Sequence, residues 1–170
     1  YCFQPIPDLM NQSAWQSNFS YIQEYGWSFE LQVFTSQMKD AARFASDFPE
    51  TTMVLQHCGM PEDTSDVGMN LWRDGMTRLA ECQNVHCKFS GLGTFIHRID
   101  PDFIADITGE CLELFSSDRC LYGSNFPIEK IWTEYQSIVS AFLKAISGLS
   151  SSEQISVMRN NAMRLYSLDT

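Results

Sequence analysis

The chain has 170 residues, 44% of them hydrophobic and 19% charged, which predicts a single globular domain over 1–170 and excludes a disordered chain. Eleven Lys and Arg against 21 Asp and Glu leave a net charge of -10, which argues against a nucleic-acid or anionic-membrane surface. No apolar run approaches the roughly 20 residues of a membrane span.

In chain order, the first 27 residues read as loop and helix, and "SFELQVFT" (Ser28–Thr35) is the first strand candidate. A helical pattern follows over Gln37–Ala45, and "TTMVLQH" (Thr51–His57) is the second strand. Past a loop rich in Gly, Pro, Asp and Ser comes "LWRDGMTRLAEC", where Trp72, Met76 and Leu79 share one helix face. "NVHCKFSG" (Asn84–Gly91) is the third strand. The helix over "DPDFIADITGECLELFSS" takes Asp100 as N-cap and Pro101 at its first position. "RCLYGSNFP" (Arg119–Pro127) is the fourth strand, and a long helix is predicted over about Ile131–Ile146. A last helix starts near Ser151, where Gln154 could close a capping box; Ile155, Met158, Ala162 and Leu165 make its apolar stripe.

Strands alternating with helices predict βαβ units and a parallel sheet. The strand-end residues Gln32, His57, Lys88 and Asn125 are spaced by 25, 31 and 37 residues, a fair length for one β-loop-α unit. A (β/α)8 barrel and an open doubly wound sheet both place chemistry at such ends. The barrel is favoured because no GxGxxG or P-loop stands at any strand end. The strands also carry one polar face: Glu30 and Gln32 in the first, His86, Lys88 and Ser90 in the third. Four units are half of an eightfold barrel, so roughly four strands should be missing. The opening "YCFQPIPDLM", without an initiating methionine, fits a fragment or a processed piece.

Cys2, Cys58, Cys82, Cys87, Cys111 and Cys120 are scattered with no CxxC pair, so a reduced, cytoplasmic setting is expected. Cys87 and Cys120 read as small buried side chains. The sequons at Asn11 and Asn18 read as chance matches.

His57 closes an apolar run just before a Gly-x-Pro turn. A neutral imidazole there can bind a metal, orient a carbonyl or move a proton. Lys88, in an apolar strand, either holds a substrate carboxylate or pairs with Glu30 across the interior. Gln32 can donate to a carbonyl oxygen or pair within the core. Asn125 can position a water or donate to an oxyanion, and cannot be a general base. His86 and His97 are read as structural or solvated. No HxH, HExxH, CxxC…CxxC or GxSxG pattern is present, so these residues hold no complete metal site.

Five blocks occur in order: "FELQV", "VLQHCGMP", "WRDGMTRLAECQNVHCKFSGLG", "DRCLYGSNFP" and "RNNAMRLY". From about Trp15 to Tyr166 the chain resembles the C-terminal half of the amidohydrolase-related (amidohydrolase 2) family, in the branch of sugar-lactone hydrolases such as fuconolactonase. The resemblance implies an α/β fold: strands five to eight of a TIM (β/α)8 barrel. It implies hydrolysis of a lactone or a similar cyclic ester or amide. It places His57 on the strand-six histidine that contacts the metal or the substrate carbonyl. Gln32 and Lys88 fall on pocket-facing positions of strands five and seven, so both are expected to bind substrate.

Asn125 falls where many members carry an aspartate that activates water, which leaves the general base open. The His-x-His pair of strand one has no counterpart. The expected cofactor is therefore one divalent metal such as zinc, held by His57 and by ligands of the missing half, or none. The expected partner is a small-molecule substrate, with homo-oligomerisation or association with the missing half. The alternative is a truncated, non-catalytic half barrel acting by association or by binding a small carboxylate.

Overall fold

A computed structural model describes residues 9–168, so Cys2 lies outside the described residues. Helix α1 (Ser13–Glu24) precedes strand β1 (Phe29–Leu31). Then follow α2 (Met38–Asp47), β2 (Met53–Leu55), α3 (Asp66–Glu81) and β3 (Val85–Phe89). The short α4 (Leu92–Ile96) and α5 (Pro101–Phe115) lead to β4 (Cys120–Tyr122). Helices α6 (Tyr135–Ala145), α7 (Ser151–Ile155) and α8 (Asn161–Leu165) complete the order.

All neighbouring strands pair in parallel, in the order β1-β2-β3-β4. An order that follows the chain, with no reversal, is an arc of a barrel; a doubly wound sheet would switch direction. Leu31 pairs with Leu55, Leu55 with Cys87, and Cys87 with Cys120. These residues lie on the face covered by helices, and all four are buried. Trp72, Met76 and Leu79 of α3 are fully buried in the same layer, each contributing roughly 2 kcal/mol by leaving water. Phe19 of α1 packs edge-on against Phe29, Phe44 and Phe48, which anchors the N-terminal helix to this layer.

The strands are shorter than the segments the sequence predicts. β2 stops at Leu55 because His57, Cys58 and Met60 turn left-handed. β4 stops at Tyr122, and Asn125 is left-handed with φ 52°. The long helix begins at Tyr135, not Ile131, after a separate 3-10 turn over Ile128–Ile131. Asp100 does cap α5, accepting from Phe103 N at 3.2 Å, with Pro101 at the first position.

The capping box of α7 is Ser150 with Glu153, one residue ahead of Ser151 and Gln154. A π-helical turn over Ser156–Asn160 then shifts the helix face. As a result Ile155 is exposed, and Val157 and Asn161 are buried instead.

Three polar side chains bind the sheet to its surroundings. Asn84 Nδ2 donates to the carbonyls of Ala45, Phe48 and Thr51. The Arg119 guanidinium donates to the carbonyls of Ala80, Cys82 and Val85. Asn161 Nδ2 donates to Ser117 O and Cys120 O, both at 2.7 Å. Asn84 and Arg119 sit just before β3 and β4, and Asn161 reaches the start of β4, so all three act at the amino ends of these strands. Such residues support the fold rather than its chemistry.

Candidate active site

His57 lies two residues past β2, on a run of left-handed backbone. His57, Cys58, Gly59 and Met60 have φ of 57°, 50°, 70° and 52°. Non-glycine residues pay roughly 1 kcal/mol each for this conformation, so surrounding contacts must hold it. Trp72 Nε1 donates to Cys58 O at 2.8 Å from the buried face of α3. On the other side His57 Nδ1 meets Ser90 Oγ at 2.8 Å. Gly91 makes that meeting possible: a Cβ there would lie 2.4 Å from His57 Nδ1.

Phe95 stands beside the imidazole, ring centroids 6.3 Å apart. Burial holds the His57 pKa below its ordinary value, and the charge of Lys88 acts the same way, while Cys58, Glu129 and the Ser90 bond oppose it. Burial thus favours the neutral imidazole, with Nδ1 engaged by Ser90 and Nε2 left for chemistry.

The polar face of the sheet carries a second cluster. Lys88 Nζ donates to Glu30 Oε2 at 2.7 Å and to Gln56 Oε1 at 3.3 Å. Gln56 Nε2 also donates to Glu30 Oε2. Tyr166 donates to Glu30 Oε1 at 2.6 Å, and Lys88 Nζ stands 5.3 Å from the Tyr166 ring centre. Of the two readings of Lys88, the structure displays the ion pair with Glu30. Gln32 does not join the cluster. It is exposed one residue past β1, and its side chain makes no hydrogen bond among the described residues. Gln56 supplies the amide beside Lys88 instead.

Asn125 sits three residues past β4 and donates through Nδ2 to Glu129 Oε1 at 3.3 Å and to Thr94 Oγ1 at 3.5 Å. Glu129 is 2% exposed. Its Oε1 also accepts from Thr94 N at 3.2 Å and Thr94 Oγ1 at 2.8 Å. Its Oε2 is buried with no hydrogen-bond partner among the described residues, and it lies 2.3 Å from where a Cβ on Gly93 would be. Sequence reasoning missed Glu129, Ser90 and Gln56. A legible signal existed for Glu129, which stands four residues after Asn125, one helical turn away.

His86 points to the same face nearer the strand start. Burial, then Arg164 and Arg119, push its pKa down to about 4. His97 stacks on Trp132 at 4.4 Å. A concavity of about 430 Å³ between α3 and α5 is lined by Met69, Arg73, Phe103 and Glu110, and none of the site residues borders it. Its polar walls are already joined by the Arg73–Glu110 ion pair at 2.7 Å.

The sulfurs of Cys58, Cys87 and Cys111 lie within 4.8 Å of one another, the only such group of three metal-binding side chains among the described residues. All three are fully buried, and Cys87 alternates with Lys88 along β3, so the thiols face the helix layer. They pack as small apolar side chains and cannot complete a metal site at His57. Cys58, Cys82, Cys87, Cys111 and Cys120 are all free thiols.

Residues 5–168 match the family model described as amidohydrolase. The chain belongs to the amidohydrolase family. Among relatives of this amidohydrolase chain, the "Uncharacterized protein y4mH" of Sinorhizobium fredii is 33% identical over 160 residues, which are 94% of this chain and 54% of the relative. An L-fucono-1,5-lactonase of Burkholderia multivorans is 27% identical, over 88% of this chain and 54% of its own. The chain thus spans about half the length of these curated relatives.

A crystal structure of a Burkholderia multivorans amidohydrolase with bound zinc superimposes with a TM-score of 0.89 at 22% identity, over 95% of this chain and 60% of the other. At that identity the likeness establishes the fold: this amidohydrolase chain is part of a TIM barrel. Zinc at a catalytic site takes about three protein ligands. The neutral His57 fits as one of them, through Nε2, with Nδ1 oriented by Ser90. The described residues converge no second and third donor on it.

Proposed function

We propose that this amidohydrolase chain carries half of the active site of a hydrolase that opens a lactone or a similar cyclic ester or amide. The observation that supports this most is the half-buried His57 imidazole, fixed by Ser90 at the carboxyl end of a barrel strand. Barrel enzymes place their chemistry at that end.

In this mechanism water attacks the carbonyl carbon, the ring C–O or C–N bond breaks, and the leaving heteroatom takes up a proton. His57 polarises the carbonyl in the tautomer whose Nδ1 accepts from Ser90, where Nε2–H donates to the carbonyl oxygen; the tautomer whose Nδ1–H donates to Ser90 leaves Nε2 free to hold a metal. A bound divalent metal such as zinc would supply Lewis acidity at the same carbonyl. Asn125 holds the attacking water. Lys88 holds a hydroxyl-rich or anionic part of the substrate at the edge of its ion pair with Glu30. The proton of the water passes to a base outside this set, because an amide has no basic site and Glu129 Oε2 is sealed against Gly93.

The test is a panel of sugar lactones, with and without chelator, followed by hydroxy-acid release. Hydrolysis of at least one member supports the proposal. Tight binding of a sugar acid with no turnover of any lactone would replace it with a carboxylate-binding role. The amide at 125, where water activation calls for a base, favours that second reading.

A further inference from the structure

We infer that Glu129 is a positioning residue that holds the Asn125 side chain by its amide nitrogen and turns its carbonyl oxygen away from the carboxylate, free to accept a hydrogen bond. The orientation follows from donor and acceptor chemistry. The Thr94 backbone N–H donates to Glu129 Oε1, which fixes that oxygen as an acceptor, so the atom of Asn125 facing it must be the amide nitrogen. Thr94 closes the alternative route. Its hydroxyl hydrogen goes to Glu129 Oε1 at 2.8 Å, which leaves Thr94 Oγ1 to accept from the same nitrogen. The two acceptors stand 2.8 Å apart, so one Nδ2 hydrogen is shared between them, and Oδ1 faces away from the pair.

Glu129 is itself held. The Thr94 backbone N–H donates to it, its own N–H donates to Asn125 O at 3.2 Å, and it is 2% exposed. Gly93 leaves the space that its second oxygen fills. Asn125 therefore meets a water or a substrate hydroxyl as an acceptor. Only the choice of that ligand rests on the hydrolase proposal; the orientation does not.

The test is a double-mutant cycle read on stability, together with exchange of the Asn125 side-chain amide by NMR. Asn125→Asp keeps a residue type that tolerates left-handed backbone, so its effect is the contact between two carboxylates. Alone it is expected to lower Tm by about 4 °C or more. In a Glu129→Gln background, where the glutamine amide can donate to the new carboxylate, most of that loss is expected to vanish. The Asn125 amide should exchange at least roughly tenfold slower than in Glu129→Ala, and Glu129→Gln should restore the protection. If Glu129→Ala does not fold, the cycle alone decides.

Equal losses from Asn125→Asp in both backgrounds, or an Asn125 amide unprotected in the parent chain, would overturn the inference. Where turnover is measurable, Glu129→Ala is expected to lower kcat with KM little changed, and Glu129→Gln to recover it. Absence of turnover would count against the hydrolase proposal and leave the cycle and the exchange experiment standing.

Discussion

At the scale of single residues, the site is set by what lies beside His57 as much as by His57. Gly91 is glycine for two reasons, a left-handed φ of 68° and the imidazole 2.4 Å from its missing Cβ. Gly91→Ala is expected to drive the ring off Ser90 and toward water. Its NMR-titrated pKa should rise toward the ordinary 6.5, with lactone turnover falling at least about tenfold. An unmoved titration curve would mean the ring does not touch residue 91.

These contacts were legible only in part. His57 declared itself as an ionisable group ending an apolar run. Ser90, its partner, stands 33 residues away, and nothing local marks the pair. Glu129 follows Asn125 by four residues, yet a glutamate in a short 3-10 turn reads as solvated until tertiary packing buries it. The left-handed backbone at His57, Cys58 and Met60 had no glycine to announce it beyond Gly59.

At the scale of elements, the periodic segments were readable and their ends were not. Alternating polar and apolar residues marked β1 and β3, and the Asp100–Pro101 pair marked the start of α5. Strand ends were lost because β2 and β4 stop on backbone geometry, at Leu55 and Tyr122, while the strands read from the sequence run on to His57 and Pro127. The last helices were misread in phase, since a π-helical turn inserts an extra residue that no 3.6-residue count foresees.

The "RNNAMRLY" block owes part of its character to Asn161, which holds the π-to-α junction onto β4 through two carbonyls. Asn161→Ala leaves Ser117 O and Cys120 O without this donor and is expected to cost about 2 kcal/mol in urea unfolding, with kcat unaffected. A loss below about 0.5 kcal/mol would show that water replaces the amide at no cost.

At the scale of the whole molecule, the parallel arc gathers the candidate site residues at one end and its structural anchors at the other. No helix among the described residues is long and apolar enough to cross a membrane. The two half-buried histidines give the molecule a pH signature. Burial, with Arg164 and Arg119, pushes His86 down to about 4, and burial lowers His57 as well. Between these folded values and the unfolded value near 6.5, the unfolded chain binds more protons than the folded one. Stability is therefore fully present above about pH 6.5 and falls as pH drops from there toward about 4. His86→Gln is expected to flatten this slope in urea melts at pH 7 and pH 5. An unchanged slope would mean that His86 titrates alike in both states.

The most direct measurement is the turnover of His57→Ala on whichever lactone the parent chain hydrolyses fastest, with far-UV circular dichroism as the control for fold. If His57 polarises the scissile carbonyl, kcat should fall by about 100-fold or more with the spectrum unchanged. Turnover within a few-fold of the parent would contradict that role and remove His57 from the mechanism.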